Sequence, residues 1–352
     1  MSFSQKTEFR PLLRFQTPVR ETAAGQQPAL VTPPAAPRIE LHTSRISKYL
    51  DGIFRYSLLI CSFSVIAVMA LFFFELTSRS KLSIARFGFG FFTGNTWDPV
   101  SGDFGAMPFI YGTLVSSLVA LVLAVPLAVG VAVFVTELCP RHLRGIVSFT
   151  VELLAAIPSV IYGLWGIFVL APLLRNYVQP WLAKYFGWTD IFSGPAYGIG
   201  MLAAGIILAI MIIPIIASIT REVLVAVPQS QREAVLALGA TRWEMVRVAV
   251  LRNARVGIMG GIILGLGRAL GETMAVTMLI GNRPEVAKSL FAPGYTMASV
   301  IANEFSEATD DLYLSALVEI GLVLLIVTVI VNACARLLIW SITRGQAARN
   351  NA

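Results

Sequence analysis

Arg268 and Glu272 lie inside Val256 to Gly281, a stretch that is otherwise apolar and rich in glycine. About 20 apolar residues suffice to cross a bilayer, so the stretch is long enough to do so. An ionisable group at that depth costs about 2.5 kcal/mol or more even on the gentler insertion scales, so its default reading is functional and it needs a partner. Residues four apart on a helix are neighbours, separated by about 6 Å along the axis at a rise of about 1.5 Å per residue. At about 100° per residue, Gly257, Gly261, Gly265, Arg268 and Glu272 fall on one narrow face. Small residues at this spacing let membrane helices approach closely, so the charged pair is expected to face protein or a pathway and not lipid. Two chemistries fit it. Either the pair is internally satisfied and only fixes helix packing, or it serves a pathway through the membrane.

Composition says what kind of element must hold these residues. The chain has 352 residues, of which 56% are hydrophobic and 13% charged. A soluble domain carries about 25% charged residues, so an all-α, polytopic transmembrane bundle is expected. Hydropathy places six spans at Ile53 to Leu76, Phe109 to Thr136, Ser148 to Pro172, Ala196 to Ile219, Val256 to Gly281 and Leu312 to Trp340. The first is too long, and too far from the N-terminus, for a cleaved signal peptide. Of the 27 Lys and Arg, 19 fall on the side that holds both termini and the loops after spans two and four. The positive-inside rule therefore predicts cytoplasmic N- and C-termini. The net charge of +7 is accounted for by this bias and by attraction to anionic membrane lipids, with no nucleic-acid partner needed.

The loop 220–255 carries the second signal. Ser230 to Glu233 reads as a capping box that starts a helix, the run Glu233, Ala234, Val235, Leu236 continues it, and Gly239 is placed to cap its end. Thr241 to Glu244 reads as a second capping box opening a helix toward span five. A short apolar helix held among basic residues suits a partner's groove. A helix lying on the lipid headgroups, with Arg242, Arg247 and Arg252 toward anionic lipid, is the alternative.

Other features exclude chemistry or leave it open. Cys61, Cys139 and Cys334 have no disulfide or metal spacing, and His42 and His142 are isolated. No phosphate-binding loop, zinc or serine-hydrolase motif occurs, and Gly265, Gly267 and Gly271 miss the dinucleotide spacing by one residue inside a span. The chain is therefore expected to need no cofactor and no metal and to hydrolyse no ATP itself. Glu319 in span six fits interhelical packing and a pathway lining equally, whereas Glu152 and Asn332 read as structural. Residues 1–48 are polar and Pro-rich and are expected to form a disordered cytoplasmic tail, with a six-span transmembrane domain over 49–345 and a short tail over 346–352.

Glu233, Ala234 and Gly239 resemble the EAA motif of binding-protein-dependent ABC importer permeases, with Val235, Ala249 and Arg252 departing from its pattern and Leu251 retained. Closer still, Ile110 to Val115, Glu152 to Ser159, Phe192 to Ala196 and above all Gly265 to Val276 resemble the C-type permease subunits of phosphate-specific (Pst) importers, from roughly Ile53 to Ile342. The resemblance implies the type I importer architecture (MetI-like) in a bacterial inner membrane. It implies a second permease, two cytoplasmic ATP-binding subunits and a periplasmic phosphate-binding protein as partners, and inorganic phosphate as cargo. Arg268 and Glu272 match the residues implicated in transport in that family. Three readings stand at this point: a phosphate importer permease, a permease of the same architecture for another oxyanion, and an intramembrane enzyme with Glu272 as base. The last is disfavoured, because a neighbouring Arg favours the ionised carboxylate and weakens it as a base.

Overall fold

The computed structural model describes residues 45–350, with side chains described over 49–341, so the expected N-terminal tail lies almost wholly outside the described residues. Six helical segments are long and apolar enough to cross a membrane. The first, α1 (Arg45–Arg79), keeps its apolar side chains exposed along nearly its whole length. A helix of that kind faces lipid or another subunit. Ser62 closes one compact unit, and Phe63 opens a second that holds everything described below.

After α1 come the short helices α2 (Lys81–Phe87) and α3 (Gly90–Thr93) and a two-stranded ribbon, β1 (Trp97–Asp98) and β2 (Asp103–Phe104), in which Trp97 faces Phe104. α4 (Met107–Val133) opens with Pro108, whose missing N–H costs nothing in a first turn, and runs on through a π-helical turn, Phe134–Leu138. Its Ala120, Ala124 and Ala128 recur every fourth residue, are fully buried, and pack in one cluster with Leu208, Ile212 and Ile216. These belong to α9 (Met201–Val225), the most buried span.

The third span differs from the expectation of Ser148 to Pro172. α5 (Arg141–Ala156) is a separate helix with no buried residue, and it ends because Pro158 drives Ile157 into extended backbone, ψ 128°. The crossing segment is Ser159–Phe186, in which π-helical turns join α6 (Ser159–Trp165), α7 (Ala171–Leu173) and α8 (Gln179–Phe186). Leu143, Ile146, Phe149 and Leu153 of α5 are exposed, while Glu152 forms an ion pair with Arg221 at the end of α9, Oε1 to Nη2 2.9 Å.

The loop between the fourth and fifth spans is a helix, a turn and a helix. α10 (Gln229–Ala237) does not start with Ser230 as its cap: Pro228, at φ −58° and ψ 140°, is the last non-helical residue, so its ring geometry sets the start two positions earlier. Gly239 follows in the left-handed region, φ +85°. At Thr241 the capping box is complete, the Thr241 hydroxyl accepting from the Glu244 N–H and the Glu244 carboxylate from the Thr241 N–H. α11 (Arg242–Met245) continues through a π-helical turn into α12 (Arg252–Gly271), so the fifth span is Arg242–Gly271 and not Val256 to Gly281. The remaining part of that stretch is a second piece, α13 (Met274–Ile280). α14 (Met297–Glu304) follows, and the last helix, α15 (Asp311–Asn350), passes through the boundary expected at 345.

Candidate functional site

The helix that carries Arg268 stops three residues later. Glu272 adopts extended backbone, φ −72° and ψ 130°, before α13 begins. The expectation of Arg268 and Glu272 as neighbours on one continuous helical face is therefore corrected. Four residues put two side chains side by side only while the helix continues, and here it does not. Among the described residues neither side chain makes an ion pair or a hydrogen bond. Arg268 is exposed on the isolated chain, whereas Glu272 is 9% exposed. A discontinuous span leaves backbone groups for a cavity or a neighbour to satisfy, and the Thr273 hydroxyl takes up one of them, the Gly271 carbonyl, at 3.3 Å.

The glycines upstream set the position of this break. A Cβ on Gly257 would lie 2.5 Å from Val223, one on Gly261 3.2 Å from Ile219, and one on Gly265 2.8 Å from Ile216, so α12 lies directly on α9. Below the break, a Cβ on Gly163 of α6 would meet Ala275 and Met278 of α13. Arg268 and Glu272 thus lie along the chain between two close helix contacts.

Glu319 is not brought to this site by any recorded contact among the described residues. It is 2% exposed on α15 beside Ser83 of α2, and its Oε2 has no hydrogen-bond partner there. On the same side, the Ser83 N–H donates to Ser315 Oγ at 3.2 Å.

In the loop between the fourth and fifth spans, Glu233, Ala234 and Gly239 are all exposed, with Leu238 88% exposed beside them. The opposite face of α10 is anchored: Val235 packs on the buried cluster of Ala132, Leu224, Val246 and Val250. Sequence patterning could not find the polar contacts that accompany it. Arg232 pairs with Glu137, and Gln231 accepts from Asn253, across separations that no local spacing reveals. The far end of the molecule holds another such feature. Glu304 Oε2 accepts from the Trp97 indole and from the Tyr313 hydroxyl, both at 2.7 Å, inside an aromatic cluster with Phe104 and Phe109. Burial pushes the nearby Tyr295 phenol above its usual range, and Asn303 donates to it at 3.0 Å.

Residues 124–344 match the family model described as binding-protein-dependent transport system inner membrane component. The phosphate transport system permease protein PstC of Mesorhizobium japonicum is 47% identical, over 83% of this chain and 90% of that protein. The protein of the same name from Pasteurella multocida is 43% identical, over 89% of this chain and 99% of its own length. A crystal structure of a bacterial ABC transporter involved in the import of the acidic polysaccharide alginate has the same fold, with a TM-score of 0.52 at 17% identity over 82% of this chain and 98% of that one.

Proposed function

Because the chain belongs to the family of binding-protein-dependent transport system inner membrane components, we propose that it is the permease subunit of an ATP-driven importer of inorganic phosphate. It is a multi-pass membrane protein and one subunit of an ABC transporter complex. In our reading a second, similar permease completes the pathway, two cytoplasmic ATP-binding subunits grip the exposed face of α10 through Glu233, Ala234 and the Gly239 turn, and a periplasmic binding protein delivers the anion. Both termini are cytoplasmic, as the distribution of Lys and Arg favours. The permease holds no catalytic group of its own.

The observation that carries this reading is the unpaired guanidinium at a helix break. An Arg in a span is placed against a partner, another subunit or a water-filled path, and Arg268 has no partner among the described residues. A planar fork with two parallel N–H groups suits phosphate, whose charge also offsets the cost of keeping Arg268 in a span. Glu272, nearly buried one residue past the helix, accepts a hydrogen bond from a protonated phosphate oxygen. Fully ionised sulfate offers no such proton and leaves an acceptor unpaired, which is how a polar site rejects the wrong ligand. Glu319, enclosed beside Ser83, supports span six and does not touch the anion. The test is uptake of labelled phosphate by vesicles containing the assembled complex, with sulfate as competitor: uptake blocked by unlabelled phosphate and not by sulfate is expected, and uptake insensitive to unlabelled phosphate rejects the reading.

A further inference from the structure

The transport reading leaves one enclosed ionic contact without a role. Arg232 sits on α10 next to Glu233, yet it points inward: its side chain is 16% exposed and that of Glu137 10%. Arg232 Nη2 lies 3.1 Å from Glu137 Oε1 and donates to the Leu224 carbonyl at 2.7 Å. Glu137 belongs to the π-helical turn that ends span two, and Leu224 to the last turn of span four. The turn that carries Glu137 is itself held from the other side, since Arg144 donates to the Thr136 carbonyl at 2.5 Å. One residue before Arg232, Gln231 Oε1 accepts from Asn253 Nδ2 on span five at 2.6 Å.

An enclosed ion pair is a poor device for stability alone, because desolvation offsets the attraction and a well-packed apolar pair does as well. The cost is higher here. The contact is close but not aligned as a hydrogen bond, and among the described residues Arg232 Nε and Glu137 Oε1 have no hydrogen-bond partner. What the guanidinium adds over apolar packing is a fixed attachment to two spans at once. The two outward residues that follow it, Glu233 and Ala234, belong to the face assigned above to the ATP-binding subunits.

We propose that Arg232 is a positioning residue for energy coupling: held between Glu137 and the Leu224 carbonyl, it makes α10 and the inner ends of spans two and four move as one body. A displacement of α10 by its ATP-hydrolysing partner then reaches the spans and is not absorbed in the Val227 to Pro228 turn. This inference rests on the transport reading.

Two measurements on the complex assembled with its partner subunits test it. The first is the ratio of phosphate-stimulated to basal ATP hydrolysis in vesicles. Glu137→Gln and Arg232→Gln should each lower that ratio by roughly tenfold, within the range over which residues between two coupled sites modulate coupling. Exchanging the charges, Arg232→Glu with Glu137→Arg, should restore a large part of the loss. A purely structural contact would alter yield and leave the ratio alone, so a wild-type ratio in Glu137→Gln overturns the proposal. The second uses spin labels at Gln229→Cys and Leu138→Cys, with Cys61, Cys139 and Cys334 replaced by Ser. ATP binding should leave the label separation unchanged with the native pair and shift it in Glu137→Gln, and equal shifts in both overturn the proposal. The label distance needs no transported anion, so a native complex deaf to phosphate would reject the transport reading while the distance still decides the role of Arg232.

Discussion

Arg268 is the residue on which most depends, and its exposure makes its test clean. It makes no hydrogen bond or ion pair with another described residue, so Arg268→Gln should leave the thermal stability of the solubilised complex unchanged while phosphate uptake falls by about 10- to 100-fold, the loss expected for a charge-assisted bidentate contact of roughly 1.5 to 3 kcal/mol. Arg268→Lys should be nearly as poor, since an ammonium cannot reproduce the planar fork. Normal uptake in either variant would remove Arg268 from the pathway. Glu272→Gln should reduce the preference for phosphate over sulfate more than it reduces phosphate uptake, read by competition, because an amide accepts a weaker hydrogen bond but also donates one. The types and depth of these two residues were legible from the chain, because ionisable groups in a span announce themselves. Their geometry was not. Four-residue spacing implies a pair only if Glu272 is helical, and Gly271, one glycine among several in this stretch, does not by itself mark the break that follows it.

At the scale of elements, the glycines of α12 and the turn at Gly239 act for different reasons, and substitutions separate them. Gly265→Val should lower the unfolding temperature of the complex, because its Cβ would stand 2.8 Å from Ile216 and overpacking of this kind costs about 1 to 3 kcal/mol. Gly267→Ala, where an added Cβ meets nothing within 4 Å, should leave that temperature unchanged. At Gly239 the space is open and only the backbone matters: with φ at +85°, Gly239→Val pays a conformational cost of roughly 1 to 2 kcal/mol. Co-purification should therefore show weaker retention of the ATP-binding subunits in Gly239→Val and near-normal retention in Gly239→Asn, since Asn tolerates the left-handed region. Equal retention of all three forms would reduce the loop to a surface helix. Gly239 and the Thr241 box could be read from the sequence because caps are local chemistry. The start at Pro228 and the break at Ile157 are also local, but a capping pattern at Ser230 and an unbroken apolar run through Pro158 competed with them and misdirected the boundaries.

For the molecule as a whole, span count and class followed from composition, whereas span limits shifted wherever apolar residues serve packing outside the membrane or a proline divides a run. The inferred sidedness makes a separate prediction. A reporter fused in the turn at Gly239 should show cytoplasmic activity and one near Asp98 or Asp190 external activity, and reversed signals would dismantle the assignment of α10 to an ATP-hydrolysing partner. The long-range contacts, Glu304 with Trp97 and Tyr313 and Arg232 with Glu137, were invisible in the sequence because they join residues far apart in the chain. The central claim is that this subunit passes phosphate along a path that includes Arg268. The most direct measurement is ATP hydrolysis by the complete complex, binding protein included, titrated with phosphate and with sulfate in native and Arg268→Gln forms. The account predicts stimulation by phosphate alone in the native complex and loss of that response in Arg268→Gln with the subunits still assembled. A native complex stimulated by sulfate but not by phosphate, or an Arg268→Gln complex that responds to phosphate as the native one does, would contradict it.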